Sequence, residues 1–297
     1  MRSLNFRQKL HLAYACFLAP AVIVYTVLFL GPVLSSLFYS LTNWNGIDRT
    51  MDFVGLRNYQ ELLADKAFLA ALKNTLKFAV LVVILQNAMA IPLAIVLDTG
   101  IRSRNLLRVI FFSPAVLSPL VVGYTWLYIY EPNQGLLNAV LRELGLDSWT
   151  QSWLGDPQIA LLSIVFIVIW QYTGYSMVIY LANLQTIPKD LYESAGMDGA
   201  GKWQRFRHIT FPLLAPAMTI NVVLSTIGTL KAFDIVYVTT KGGPYHATET
   251  MTTLMFSTAF GEDSFGYGTA IGVVIFVIIL AISLLQLSLL RRREVAF

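Results

Sequence analysis

The chain has 297 residues, 56% of them hydrophobic and only 13% charged, with a mean hydropathy of +0.64. A water-soluble domain carries about 25% charged residues, so a soluble enzyme is excluded by composition alone. The net charge of +4 arises from 21 basic and 17 acidic residues scattered around long apolar runs, which fits membrane sidedness and not a nucleic-acid surface.

A helix crossing a ~30 Å hydrocarbon layer needs about 20 mostly apolar residues, because lipid offers an unpaired backbone no partner. Six stretches meet that length, near 12–38, 75–97, 107–130, 159–183, 213–238 and 267–290. They predict an all-α membrane protein of six transmembrane helices forming a single domain over 1–297. The first run is too long for a signal peptide and lacks a small-x-small cleavage site, so it reads as a retained span. Pro20, Gly31-Pro32, Pro92, Pro114 and Pro119 interrupt three spans and predict kinks. Outer segments at 40–73 and 131–157 carry amphipathic patterns, Tyr59–Leu63 and Leu136–Leu141, suited to the membrane surface or the mouth of the bundle.

With both termini inside, cytoplasmic segments collect Arg2, Arg7, Lys9, Arg102, Arg104, Arg108, Lys189, Lys202, Arg205, Arg207 and Arg291 to Arg293, thirteen of the 21 basic residues. The outer segments hold seven basic residues against eleven acidic ones, so positive-inside sorting places both termini in the cytoplasm. Asp98 reads simply as the cytosolic end of the second span.

The fourth and fifth spans each bear a polar stripe. Gln171, Gly174, Tyr175 and Val178 recur on one, and Asn221, Ser225, Gly228, Thr229 and Ala232 share a face of the other. Such residues offer hydroxyl, amide and aromatic contacts to a polar solute, with Gln171, Tyr175, Asn221, Ser225 and Thr229 as the candidate contacts; close helix packing explains the same pattern equally well. Lys231 and Asp234, three residues apart, are expected to pair as an intramembrane ion pair. Beyond them, Thr239–Pro244 makes a tight outer turn, and Gly268-x-x-x-Gly272 offers a face for close helix contact, for instance with a partner subunit. Three His at 11, 208 and 246 lie near different membrane faces, and Cys16 has no second Cys, so no metal site, disulfide or acid/base constellation is predicted.

The longest inner segment, 185–212, carries the most information. Pro188 suits a first helical turn, Asp190 and Glu193 its positive end, and Asp198-Gly199 a break, after which a second helix runs from about Ala200 to Ile209 and ends at Pro212. Trp203, Phe206, Arg207 and Thr210 fall at helical spacing, which makes the segment either a docking element for a soluble partner or a connector resting on its own bundle. Gly196–Lys202 spells the start of a phosphate loop, but Trp203 stands where a Mg²⁺-binding hydroxyl is needed and no strand precedes it, so no nucleotide or other cofactor is assigned to this chain.

In this segment Glu193, Ala195, Gly199, Ile209 and Pro212 match at the spacing of the EAA loop, while Ser194 and Phe211 depart from its pattern. It thereby resembles the permease subunits of binding-protein-dependent ABC importers. Leu41–Gly46, Phe53–Tyr59, Trp153–Pro157 and Gly242–Pro244 are similar to the carbohydrate-uptake group, of the larger maltose permease and glycerol-3-phosphate permease subunit type. The resemblance implies a type I importer fold in a bacterial-type inner membrane, a second homologous permease, two cytosolic ATPase subunits that hold ATP and Mg²⁺, and an extracytoplasmic binding protein delivering a sugar-like solute. It also implies an ATPase-coupling set of Glu193, Ala195, Asp198, Gly199, Ala200, Phe206, Ile209 and Pro212. The alternative is an ion-coupled secondary transporter, which usually carries inverted repeats and midplane carboxylates that are not evident here.

Overall fold

The computed structural model describes residues 6–292 and 294; Arg2 and Arg293 of the charge count lie outside them. Apart from one antiparallel bridge between Thr42 and Phe53, the regular elements among the described residues are helical. In chain order they are α1 (Phe6–Tyr25), α2 (Gly31–Tyr39), α3 (Arg57–Ala64), α4 (Lys66–Asp98), α5 (Arg104–Phe112), α6 (Pro119–Ile129), α7 (Leu136–Glu143) and α8 (Ala160–Leu184). Then follow α9 (Lys189–Met197), α10 (Lys202–Arg205), α11 (Phe211–Leu213), α12 (Ala215–Leu230), α13 (Asp234–Thr239), α14 (Met251–Gly261) and α15 (Phe265–Arg291). Four stretches are long and apolar enough to cross a membrane unbroken, and two bent helix pairs bring the count to as many as six.

The chain groups into two compact units, Met1–Ala64 with Met255–Val274 and Asp65–Leu254 with Ile275–Phe297. In the first, α1 passes through a π turn at Thr26–Leu30 into α2, so the kink expected at Gly31-Pro32 takes the form of a widened turn in which the Gly31 N–H reaches the Thr26 carbonyl. The apolar window of Tyr14–Tyr39 has no buried residue, and side chains such as Phe17 and Leu28 form a surface that only lipid or another protein can cover. Beyond α2, Asn58 of α3 donates to the Ser40 and Thr42 carbonyls at 2.8 and 2.9 Å, and Trp44 packs between Tyr39 and Phe265. The Gly268/Gly272 face is filled from within this chain: a Cβ on Gly268 would stand 2.7 Å from Ala259, and one on Gly272 3.1 Å from the Met255 sulfur. It is therefore spent on α14 and not left for a partner.

In the second unit α8 is the central post. It meets two apolar clusters, one joining Phe78 and Val82 of α4, Trp126 of α6, Ile164, Val165, Ile167, Val168 and Ile169 of α8 and Val236 of α13, the other joining Ala90, Ala94 and Leu97 of α4 to Met177, Tyr180 and Leu184 of α8 and Leu214 before α12. The 33 residues of α4 make a helix of about 50 Å, well beyond the hydrocarbon thickness, so it begins at an Asp65 N-cap instead of near residue 75. Arg108 donates to the Leu97 carbonyl at 2.8 Å, satisfying an orphan acceptor at the far end of α4.

Two of the expected spans are not continuous. Between 107 and 130 the chain bends by 99°, where a 3-10 turn at Ser113–Val116 and an extended Leu117 precede Pro119. The expected 213–238 span stops at Leu230, and α13 starts at Asp234 after three non-helical residues. Pro212 does not end the inner helix as expected. A π turn at Phe206–Thr210 carries it through Pro212 to Leu213, and the bend of 62° falls at Leu214.

After α6 the chain turns through Glu131–Gly135, where the Glu131 carboxylate accepts backbone N–H bonds from Gln134 and, at 2.8 Å, from Asn133. These bonds, Gln134's foremost, hold its pKa below the ordinary 4.5. A depressed carboxylate stabilises the fold above its unfolded pKa and loses that contribution as pH falls through the folded value. Hydrogen exchange at Asn133 and Gln134 is therefore predicted to be pH-independent, after correction for intrinsic rates, until the pH drops below the ordinary carboxylate range, and then to accelerate. Glu131→Gln should abolish that acid-specific step.

Candidate functional site

Along α8 the two apolar clusters are separated by a cavity of about 380 Å³. Its wall takes Val168, Gln171, Tyr172 and Tyr175 from α8 and Asn221, Ser225, Gly228 and Thr229 from α12, with Ala232 beyond the end of α12. The whole stripe read from α12 thus faces one space, and Gln171 and Tyr175 join it from the opposite helix. Gly174 and Val178 do not. A Cβ on Gly174 would lie 1.8 Å from the Phe111 carbonyl oxygen, so this glycine exists to let the end of α5 cross α8.

Both breaks in the spans open onto the cavity, one at Pro119 and the other at Lys231–Asp234. Their freed backbone carbonyls are met by side chains. Gln171 Nε2 donates to the Leu117 oxygen at 3.1 Å, and Thr252 Oγ1 donates to the Ala232 oxygen at 2.7 Å. Lys231 and Asp234 are exposed in the cavity, but the pair expected from their spacing is not formed. The close opposite-charge contacts among the described residues are Arg57–Glu61 and His246–Glu249. The reason is the helix end at Leu230: i,i+3 residues share a face only on an unbroken helix.

The hydroxyls of Ser225 and Thr229 donate back to the Asn221 and Ser225 carbonyls at 2.7 and 2.8 Å, which leaves their oxygens as acceptors. Asn221 Nδ2 is committed to Asn87 Oδ1 at 2.7 Å and to the Tyr180 hydroxyl at 3.3 Å, while Tyr180 itself donates to Asn87. Gln86 lines the cavity as well and donates to Ser176 Oγ at 2.6 Å. Neither Gln86 nor Asn87 was among the sequence candidates, although adjacent amides inside an apolar span are the signal that reveals them. One more polar atom stands out: Oε1 of Gln171, a residue only 1% exposed, has no hydrogen-bond partner among the described residues. Leaving such a group unpaired costs about 1–3 kcal/mol.

The loop 185–212 forms a second concave face. The amide of Gly199 (φ +78°) bonds the Gly196 carbonyl, that of Ala200 returns to Ala195 at 2.8 Å, and Arg205 Nε donates to the Ala200 carbonyl at 2.9 Å. A β-carbon on Gly199 would meet nothing within 4 Å, so it is the positive φ, not crowding, that calls for glycine. Tyr192 bonds Thr210 at 3.0 Å and, with Ile209, packs on the second apolar cluster, while Phe206 lies between Trp203 and Phe211. Ala195, Asp198, Gly199, Ala200 and Ile209 line the concavity, whereas Glu193 is exposed away from it and Pro212 lies within the continuing helix. Met197 is 83% and Trp203 67% exposed, unusual for residues of this size outside lipid. The segment Gly196–Lys202 follows helix α9, so the strand–loop–helix setting of a phosphate loop is not formed here.

The family model for the binding-protein-dependent transport system inner membrane component matches residues 86–295, which contain the cavity, both breaks and the inner loop. The chain belongs to this permease family. The probable ABC transporter permease protein YurN of Bacillus subtilis (strain 168) is 38% identical to this permease over 274 residues, covering 92% of this chain and 94% of that protein. The probable starch degradation products transport system permease protein AmyD of Thermoanaerobacterium thermosulfurigenes is 34% identical over 283 residues, 95% of each. Among solved structures, a chain of the bacterial alginate ABC transporter in complex with alginate pentasaccharide-bound periplasmic protein superposes with a TM-score of 0.85 over 96% of each chain; at 23% identity this is a likeness of fold. Membership of a binding-protein-dependent permease family disfavours the ion-coupled alternative.

The Asn87–Tyr180–Asn221 triad ties α4, α8 and α12 of this permease together. Replacing Asn87 by Leu removes an acceptor and strands two donors, with an expected loss of about 1–3 kcal/mol in detergent unfolding experiments. A double-mutant cycle with Asn221→Leu should be non-additive by at least about 0.5 kcal/mol; additivity would show that the triad does not act as a unit.

Proposed function

We propose that this permease carries a neutral sugar, delivered by an extracytoplasmic binding protein, through the cavity between α8 and α12. It does so paired with a second homologous permease and driven by two cytosolic ATPase subunits that hold the ATP and Mg²⁺. The observation that carries the reading is the cavity itself: amide and hydroxyl acceptors, the Tyr175 ring, the start of α6 at Pro119 and the break at Lys231–Asp234 converge on it. Sugars present many hydroxyl donors and flat CH faces, which such a wall matches. Lys231 and Asp234 both line the space and offset each other in charge, which favours an uncharged solute over a phosphate-bearing one. The name of the AmyD relative, a starch degradation products permease, supports the same class.

In the proposed topology each bent pair serves as one crossing, giving six, with both termini and the inner loop 185–212 in the cytoplasm. The exposed Met197 and Trp203 and the concave face between α9 and the second helix are then the seat for an ATPase subunit. Closure of the ATPase dimer moves that seat, and Tyr192 and Ile209, packed on the second cluster, pass the motion to α4, α8 and α12.

Two kinds of variant test this in the assembled importer. Gly199→Val forces a β-branched residue into positive φ at the seat and should leave membrane insertion intact while abolishing uptake and solute-stimulated ATP hydrolysis. Normal uptake would contradict the coupling role. Tyr175→Ala should raise the transport KM about tenfold, equivalent to about 1.4 kcal/mol, and Ser225→Ala less. If both leave KM and maximal rate unchanged, the cavity is not the sugar's route.

A further inference from the structure

We propose that Gln171 links occupancy of the cavity to the bend between α5 and α6, so that this residue positions the bend according to whether a sugar is bound. The inference rests on the reading of the cavity as the sugar's path and adds a role for the bend. One end of the Gln171 amide is already in use. Its Nε2 donates to the Leu117 carbonyl at 3.1 Å, and that carbonyl fixes the amide's orientation, because an oxygen turned toward it would repel it. Leu117 is the extended residue (φ −73°, ψ 143°) at which the chain turns by 99°, two residues before Pro119, itself part of the cavity wall.

The other end of the amide is unused. Oε1 belongs to a residue of the cavity wall, is itself closed off from solvent, and has no partner among the described residues, so a sugar hydroxyl reaches it only by displacing its cover. A sugar hydroxyl is the donor it lacks. When Oε1 accepts a hydrogen bond the amide is further polarised, its N–H becomes a stronger donor, and the bond to Leu117 tightens. Occupancy of the cavity thus stiffens the turn between α5 and α6, and departure of the sugar loosens it. The arrangement needs an amide: a carboxylate keeps the acceptor and loses the donor, and an aliphatic chain loses both.

The test uses the full importer in lipid nanodiscs, with Cys16→Ser removing the native thiol and spin labels on Leu106→Cys and Tyr128→Cys. These two exposed positions flank the bend and lie outside the cavity. Label-to-label distances are measured without sugar and with saturating maltose or maltotriose, alongside uptake kinetics. In the otherwise native protein the sugar should narrow the distance distribution. Without sugar, Gln171→Leu and Gln171→Glu should both broaden it at least twofold, and neither should narrow on adding sugar. KM should rise about tenfold in Gln171→Leu and less in Gln171→Glu, a split that loss of packing alone would not produce. A Gln171→Leu or Gln171→Glu protein with the native width and sugar response overturns the proposal, as does native uptake of a sugar that leaves the distances unmoved. If neither sugar is taken up, the choice of sugar class is at fault, and the sugar-free widths of the variants still decide the role of Gln171.

Discussion

A peptide group in hydrocarbon must find its hydrogen bond within the protein, because lipid supplies none. That constraint governs where this chain is allowed to depart from helix. Two of its departures, at Leu117–Ser118 just before the cavity-lining Pro119 and at Lys231–Phe233, lie at the same cavity. At each, a side chain from another helix accepts the task of satisfying a released carbonyl, Gln171 at Leu117 and Thr252 at Ala232. Irregular backbone and a polar space therefore require each other: the space makes the breaks tolerable, and the breaks bring Pro119, Lys231 and Asp234 into its wall.

The regular parts supply the opposite property. α8 is buried over most of its length and holds α4 on one flank through the Gln86–Ser176 bond and α12 through the Asn87–Tyr180–Asn221 triad. Beyond that triad the second apolar cluster runs without interruption to Tyr192 and Ile209 of the 185–212 loop. Packed side chains transmit displacement, since interiors have little free volume. A packed connection from the loop toward the cavity, with helix breaks around the cavity, is the layout that the proposed transport cycle calls for.

Much of this was legible in the sequence, and the reasons for success and failure are physical. Most of the α12 stripe was readable because Asn221, Ser225, Gly228 and Thr229 recur at 3–4-residue spacing on one unbroken helix, and that helix presents all four to one space, which Ala232 joins from just past the helix end. The turn at Gly199 was readable from Asp198-Gly199, since few residues other than glycine accept positive φ. The break at Lys231 was not, because the spacing of Lys231 and Asp234 reads as a pair on a continuing helix; the carbonyl released at Ala232 finds its partners in Thr250 and Thr252, about twenty residues further on. The pairing of Lys231 with Asp234 failed with it. Gly174 was misread as part of a polar stripe because composition cannot tell a glycine that faces a cavity from one that admits a crossing backbone. Pro212 was taken as a terminator, yet a π turn before it absorbs the missing N–H and the helix continues.

The central claim, that the space between α8 and α12 is the path of the transported solute, is tested most directly by thiol accessibility at Gly228. A side chain there meets nothing within 4 Å, so Gly228→Cys in a Cys16→Ser background should fold and transport. The account predicts that a small charged methanethiosulfonate reagent modifies this cysteine in the assembled importer, that modification blocks uptake, and that a transported sugar slows it several-fold. A cysteine at 228 that stays unreactive throughout turnover, or reacts at a rate indifferent to the sugar, would contradict it.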